Sequence, residues 1–130
     1  MEVRIEPQSQ YIHVVAKGEF NAAQAAEGIA RVVAACVERD LPRVLIDGRS
    51  ITTTVSVLER YEFAKTLAES ARSRIRMAIV VSAENMFSKT LENTARNMGM
   101  DVRTTASMAE GLIYLGLPIT NANHDSTSGA

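Results

Sequence analysis

Arg43-Val-Leu-Ile-Asp-Gly-Arg-Ser-Ile-Thr-Thr-Thr-Val-Ser-Val-Leu-Glu-Arg-Tyr-Glu62 is the stretch whose reading decides the fold. Val44, Leu45 and Ile46 form a short continuous apolar run, the pattern of a central strand covered on both faces. The run ends at Asp47, a hydroxyl-rich loop follows, and Ser56 with Glu59 has the spacing of a capping box that opens a helix. Along that helix Val57, Leu58, Tyr61, Ala64, Leu67, Ala68 and Ala71 share one stripe, expected to face the core. In open α/β sheets the carboxyl end of a strand facing a helix N-terminus is where ligands and regulatory contacts gather.

Upstream, Val3 to Glu6 reads as a short strand and Gln8-Ser9-Gln10 as a turn. Tyr11 to Lys17 alternates, with Ile12, Val14 and Ala16 on the buried face and His13 on the less apolar one. Asn21 with Gln24 marks a helix start, and Ala22, Ala25, Ala26, Ile29, Val32, Val33 and Cys36 follow at helical spacing. This helix should stop near Asp40, because Pro42 disfavours helical geometry at Leu41. Downstream, Met77 to Val81 is a buried strand, and a helix from Met86 to Met98 turns Phe87, Leu91, Ala95 and Met98 inward, with Gly99 as its cap. Val102 to Thr104 makes a last strand, and Ser107 with Glu110 opens a helix ending near Leu115-Gly116.

Strands alternating with helices imply parallel pairing through right-handed crossovers. The expected fold class is therefore α/β: a mainly parallel five-stranded sheet, an N-terminal antiparallel strand or hairpin, and four helices. Residues 1–118 form a single domain in this reading and 119–130 a flexible polar tail, there being no core former after Ile119.

The chain has 130 residues, 46% apolar and 22% charged, which fits one globular domain with a real core. A net charge of −1, from 14 basic and 15 acidic residues, argues against a nucleic-acid binder, which needs surplus cations. Arg72, Arg74 and Arg76 recur with period two and read as a solvated face. Cys36 is the only cysteine, so no intrachain disulfide or multi-cysteine metal site forms, and its apolar setting reads as a buried thiol. No apolar run reaches the ~18 residues of a membrane span, and the amino terminus lacks a secretory pattern, so cytoplasmic residence is the expectation.

The candidate binding residues cluster around the opening stretch. Arg49, Ser50, Thr52, Thr53 and Thr54 could hydrogen-bond an anion at the helix mouth, or satisfy local backbone groups. The loop they occupy is longer than the ~2–6 residues usual between strand and helix, which favours a functional part. Ser82 and Asn85, beyond the next parallel strand, should lie beside them. Asp47 serves either as an acid or base or, more simply, as a loop anchor accepting amide hydrogen bonds. Arg60, Glu92 and Arg96 are placed for ion pairs between or within helices. His13 and His124 have no carboxylate or cysteine at ligand spacing, so no metal site, catalytic residue or cofactor is assigned. The Gly111 to Gly116 spacing does not open a helix after a strand, so it cradles no phosphate.

Val44-Leu-Ile-Asp47, the loop to Ser56, Glu59-Arg-Tyr-Glu-Phe63, Arg76-Met-Ala-Ile-Val80, Glu92-Asn-Thr-Ala-Arg-Asn97 and Glu110-Gly-Leu-Ile-Tyr-Leu-Gly116 together carry a resemblance. Over residues 1 to 117 their pattern and order resemble the STAS fold of bacterial anti-anti-sigma factors, and more closely the SpoIIAA-like set of small bacterial proteins. The resemblance implies sequential strand order, no cofactor, and a role in protein–protein regulation or ligand sensing. It also makes Ser56 a phosphorylation candidate, since a serine opening the helix after the central strand is the family's phosphoserine. The family's Asp-Ser-Ser-Gly is here Val55-Ser56-Val57-Leu58. Ser56 as a plain cap accounts for both Ser56 and Glu59.

The expected function is a non-enzymatic regulatory or interaction module that binds a partner protein or small anionic ligand through Asp47 to Arg60 and Ser82 to Asn85. It is expected to be a homodimer, with Phe63 and Tyr114 as partly exposed contact positions. The alternative is a small carrier or sensor of an apolar, lipid-like ligand, in a pocket lined by Met77, Met86, Phe87, Met98 and Met100.

Overall fold

Alternation along the chain becomes β1 (Glu2–Pro7), β2 (Ile12–Gly18), α1 (Ala22–Arg39), β3 (Arg43–Ile51), α2 (Val57–Ala71), β4 (Arg76–Val80), α3 (Ser88–Asn97), β5 (Asp101–Thr105) and α4 (Met108–Tyr114). This computed structural model describes residues 1–52, 55–71, 74–82 and 88–119, the side chains of 88–90 excepted. The sheet runs β1-β2-β3-β4-β5, with β1 antiparallel to β2 and every other neighbour parallel. Architecture and strand order match the sequence reading. Residues 120–130, most of the expected tail, lie outside the described residues, as do Arg72, Met86 and Phe87.

Local signals set the helix ends. The Asn21 side chain accepts from the Gln24 amide at 2.9 Å, but the Gln24 side chain accepts from the N-terminal ammonium instead of closing the box. Asp40 ends α1 in the left-handed region at φ 54°, its amide donating to the Cys36 and Val37 carbonyls. Ser107 caps α4, accepting from the Glu110 amide at 3.1 Å.

Alternation along the strands sorts the core into two layers. Ile12, Val14, Val44, Ile46, Met77 and Ile79 face α1, α2 and α3, which supply Ile29, Val32, Leu67, Ala68, Leu91 and Ala95. Leu45, Ala78 and Val80 point the other way, under Met108, Leu112 and Leu115 of α4 and beyond. Close approach there requires Gly111, because a Cβ at that position would lie 2.7 Å from Leu45 Cδ1.

Three expectations are corrected. First, β3 does not stop at Asp47 but continues to Ile51, held by β2 on one side only. Second, α2 buries Ala64, Leu67, Ala68 and Ala71, while Val57, Leu58 and Tyr61, expected inward with them, are 67%, 68% and 48% exposed. Met98 is likewise 43% exposed rather than inward, since α3 ends at Asn97. Third, His13 is buried: the antiparallel ladder sets it against Glu6 and the parallel one against Leu45.

Candidate functional site

The site begins with a mismatch between two ladders. Between Asp47 and Ser50, β3 spends three residues where β2 spends two, from Val15 to Lys17. Such a bulge redirects side chains and bends the strand. Pairing with β4 ends at Asp47↔Val80, beyond which β3 continues on β2 alone to Ile51 while the chain after Val80 leaves the ladder. Ser82 is half-buried there, while Ser50 and Thr52 are exposed. The Thr52 amide donates to the Gly18 carbonyl at 3.0 Å, extending the contact with β2. Only residues 52–56 connect β3 to α2, an ordinary length, so the argument from a long loop falls away. Thr53, Thr54 and Asn85 lie outside the described residues.

Asp47 clasps Arg49. Arg49 donates from Nε at 2.9 Å and Nη2 at 2.8 Å to the two carboxylate oxygens, and from its amide at 3.2 Å. Burial alone would raise the Asp47 pKa; the hydrogen bonds and charge of Arg49 outweigh it and hold the carboxyl below its usual value. This is the anchor reading of Asp47, and it engages the guanidinium that sequence reasoning offered to an anionic ligand. Asp47 alternates with Leu45 and so lies on the α4 face of the sheet, near His13. Burial pushes His13 below the ordinary histidine range, against the pull of Glu6 and Asp47. Tyr11 packs edge-on against it, with ring centroids 6.2 Å apart.

Ser56 and Glu59 stand on the opposite face, where α2 begins. The Ser56 amide donates to Glu59 Oε1 at 3.0 Å and the Glu59 amide to Ser56 Oγ at 3.2 Å, a closed capping box. Val55 just before it is buried, and Arg60 Nε donates to its carbonyl at 3.0 Å. The candidate residues therefore divide into two groups: Asp47 and Arg49 with α4, Ser56 and Arg60 with α2. Glu92 and Arg96 do not pair with each other. Glu92 accepts from the Thr104 amide at 2.7 Å and Arg96 donates to the Val102 carbonyl, so both lash α3 to β5.

The exposed part of α2 stands out chemically. Val57, Leu58 and Tyr61 occupy its first turns, with Ser56, Glu62 and Lys65 exposed around them. Phe63 turns inward, packing edge-to-face on Phe20 at 5.8 Å. Tyr114, the other expected contact, is held between the guanidiniums of Arg76 and Arg103 at 5.2 and 5.1 Å, with its hydroxyl donating to Asp101.

Beneath α2 lies an apolar cavity of about 60 Å³, walled by Val14, Ile46, Val55, Phe63 and Leu91, with Arg60 at its margin. Met77, Met98 and Met100, expected around a pocket, do not line it. Among the described residues, no three His, Cys, Asp or Glu side chains gather to hold a metal, and no helix is long and apolar enough to cross a membrane.

No protein-family model matches the chain, and no curated protein does. Among solved structures it is similar to an anti-sigma factor antagonist from Mycobacterium paratuberculosis, with TM-score 0.55 and 13% identity over 86% of this chain and 91% of that one. The chain has the STAS fold. Within it, the α2 face and the cavity are what sequence reasoning missed. Helical spacing does not show whether anything covers the first turns of α2, and the cavity draws its walls from seven elements. The one available signal was the clustering of Ala16, Ala25, Gly28 and Gly48, small residues that all line the cavity.

Proposed function

We propose that this STAS-fold chain is a protein-interaction module that docks a partner protein on the first turns of α2. The carrying observation is the outward display of Val57, Leu58 and Tyr61, at 67%, 68% and 48% exposure, on a helix whose later turns are packed down. A compact group of large apolar side chains inside a polar rim has the composition of an interface centre. Ser56, Glu62 and Lys65 supply that rim. The similar solved structure is named for antagonising an anti-sigma factor, an action on another protein, which supports a partner of the same class.

In this reading the capping box has a positioning task. It fixes the helix start, so the three apolar side chains meet a partner already ordered, which lowers the entropy lost on docking. No chemical step is assigned to any residue. Ser56 acts as a cap; a phosphate on it would face the Glu59 carboxylate, which already lies on the Ser56 amide. Asp47 already pairs with and neutralises Arg49, so a small anion gains less there, and the partner reading stands ahead of the anion reading.

The test is quantitative co-purification from a native lysate with the full chain, a Leu58→Glu/Tyr61→Ser variant, and a Val37→Glu control at the far end of α1. Partners should fall at least about tenfold in the double variant, the loss expected from two interface anchors, and persist in the control. Identical partner sets for all three proteins would overturn the reading.

A further inference from the structure

An open sheet has two edges, and each presents backbone amides and carbonyls that a further strand can take up. At β5 those groups are engaged from within. The Thr104 amide donates to Glu92 Oε1 at 2.7 Å, and the Val102 carbonyl accepts from Arg96 Nη1 at 3.1 Å, so two side chains of α3 cover that edge. At β1 the hairpin fixes which groups point outward. The Gln8 amide donates to the Tyr11 carbonyl at 2.8 Å, and bonded pairs alternate along an antiparallel ladder, so Glu2, Arg4 and Glu6 turn their amides and carbonyls to β2. Val3, Ile5 and Pro7 turn theirs away, and among the described residues no hydrogen bond reaches them there. Pro7, with no amide, stands where a strand tolerates proline.

The β1 edge is regular. It pairs with β2 from Glu2 to Pro7 without a bulge, and its Val3 and Ile5 side chains are half-buried against the core. Charges of one sign would repel a like strand. Here they alternate as Glu2, Arg4 and Glu6 on one face, with Arg4 Nε 3.0 Å from the Glu6 carboxylate. Such a strand complements an antiparallel copy of itself. With the two-fold axis at Ile5, Arg4 stands opposite Glu6 of the second copy and Glu6 opposite its Arg4. The two Ile5 residues exchange both backbone bonds, and each Val3 amide reaches the other copy's Pro7 carbonyl. An axis at Arg4 would instead set Arg4 against Arg4 and Glu2 against Glu6, like charges directly opposite. An axis at Val3 overlaps only residues 2–4 of the two strands, against residues 3–7 for Ile5. We propose that β1 is a self-association edge, through which two copies of this chain join their sheets antiparallel about Ile5. This contact is separate from docking on α2. It also differs from the contact expected at Phe63 and Tyr114, both of which are engaged within the chain.

The experiment is sedimentation equilibrium of the full chain between about 10 μM and 1 mM, the range in which a small interface associates. Wild type should form a dimer. Arg4→Glu should weaken it at least about tenfold, since both cross-strand pairs become repulsive, and Arg4→Glu/Glu6→Arg should restore it. Both side chains reach solvent, so these substitutions leave the core intact. Oxidation reads the register. Ile5→Cys should give a disulfide-linked dimer, because bonded residues have Cα atoms about 5.5 Å apart, within disulfide reach, and Val3→Cys should not. Cys36 is buried and does not compete. If Ile5→Cys does not fold, the double charge variant decides alone, because an axis at Val3 sets position 4 against Glu2 and the swap would not restore association. A monomer throughout the range, equal association of wild type and Arg4→Glu, no restoration in the double variant, or a cross-link from Val3→Cys in place of Ile5→Cys would overturn the proposal.

Discussion

Truncating two leucines of the same helix should give opposite results. Leu58 is 68% exposed and Leu67 fully buried; nine residues apart, they stand on opposite sides of α2. Full burial of a leucine side chain is worth about 1.5–3 kcal/mol. About a third of Leu58 is out of water, so Leu58→Ala removes roughly 0.5–1 kcal/mol, and alanine's better helix propensity returns a few tenths. The net loss should be about 0.5 kcal/mol. At Leu67 the lost transfer energy and the cavity left behind add to about 2–5 kcal/mol. Urea unfolding followed by far-ultraviolet circular dichroism measures both, read as a midpoint shift at constant slope. A loss of about 2 kcal/mol or more in Leu58→Ala would show that the first turns of α2 pack down, and the proposed docking face would vanish with them.

Other consequences follow from the same geometry. Asp47→Asn should cost about 1–2 kcal/mol at neutral pH, because it breaks a charged, bidentate, partly buried pair. Since the folded Asp47 pKa lies below its ordinary value, the carboxylate's contribution is complete above the unfolded pKa and fades as pH falls through the folded one. Stability curves of wild type and Asp47→Asn should therefore draw together as pH falls below the ordinary Asp value of about 3.9; a gap unchanged from neutral pH to about pH 2 contradicts the clasp. Burial raises the Cys36 thiol to about 11, so at pH 8 only about one molecule in a thousand is thiolate. An aromatic disulfide reagent should label the folded chain at least about a hundredfold more slowly than the urea-unfolded one, and rapid labelling of folded protein would refute the burial. Gly111→Ala should lose roughly 1–3 kcal/mol by overpacking against Leu45, despite alanine's helix preference, and no loss in thermal unfolding would mean α4 sits farther from the sheet.

Features written in neighbouring residues were legible. Asn21, Ser56 and Ser107 each announced a helix start, because a cap is a local hydrogen bond. Alternation of strands and helices implies parallel pairing, and the family resemblance implies the sequential strand order that the sheet has. Features that depend on a neighbour distant in sequence were not. The extension of β3 to Ile51 exists because β2 pairs with it past the bulge, and nothing in Gly48-Arg49-Ser50 marks a strand. His13 is buried by the strands on either side, whereas its own strand suggested only a less apolar face. Periodicity puts Val57 and Tyr61 on the side of Ala64 and Ala68 without saying whether anything lies beneath the first turn. In the site itself, Asp47 holds the Arg49 guanidinium, a pairing that spacing alone does not distinguish from an Arg49 offered to a ligand.

A photo-crosslinking amino acid placed at position 58, and in a separate protein at position 37, tests the interaction account most directly in the producing cells. Both side chains are well exposed, Leu58 at 68% and Val37 at 76%, so access to reagent is matched. Illumination should yield a discrete covalent adduct with a partner protein from position 58 and none from position 37. Adducts of equal yield from both positions, or from position 37 alone, would contradict docking on the start of α2.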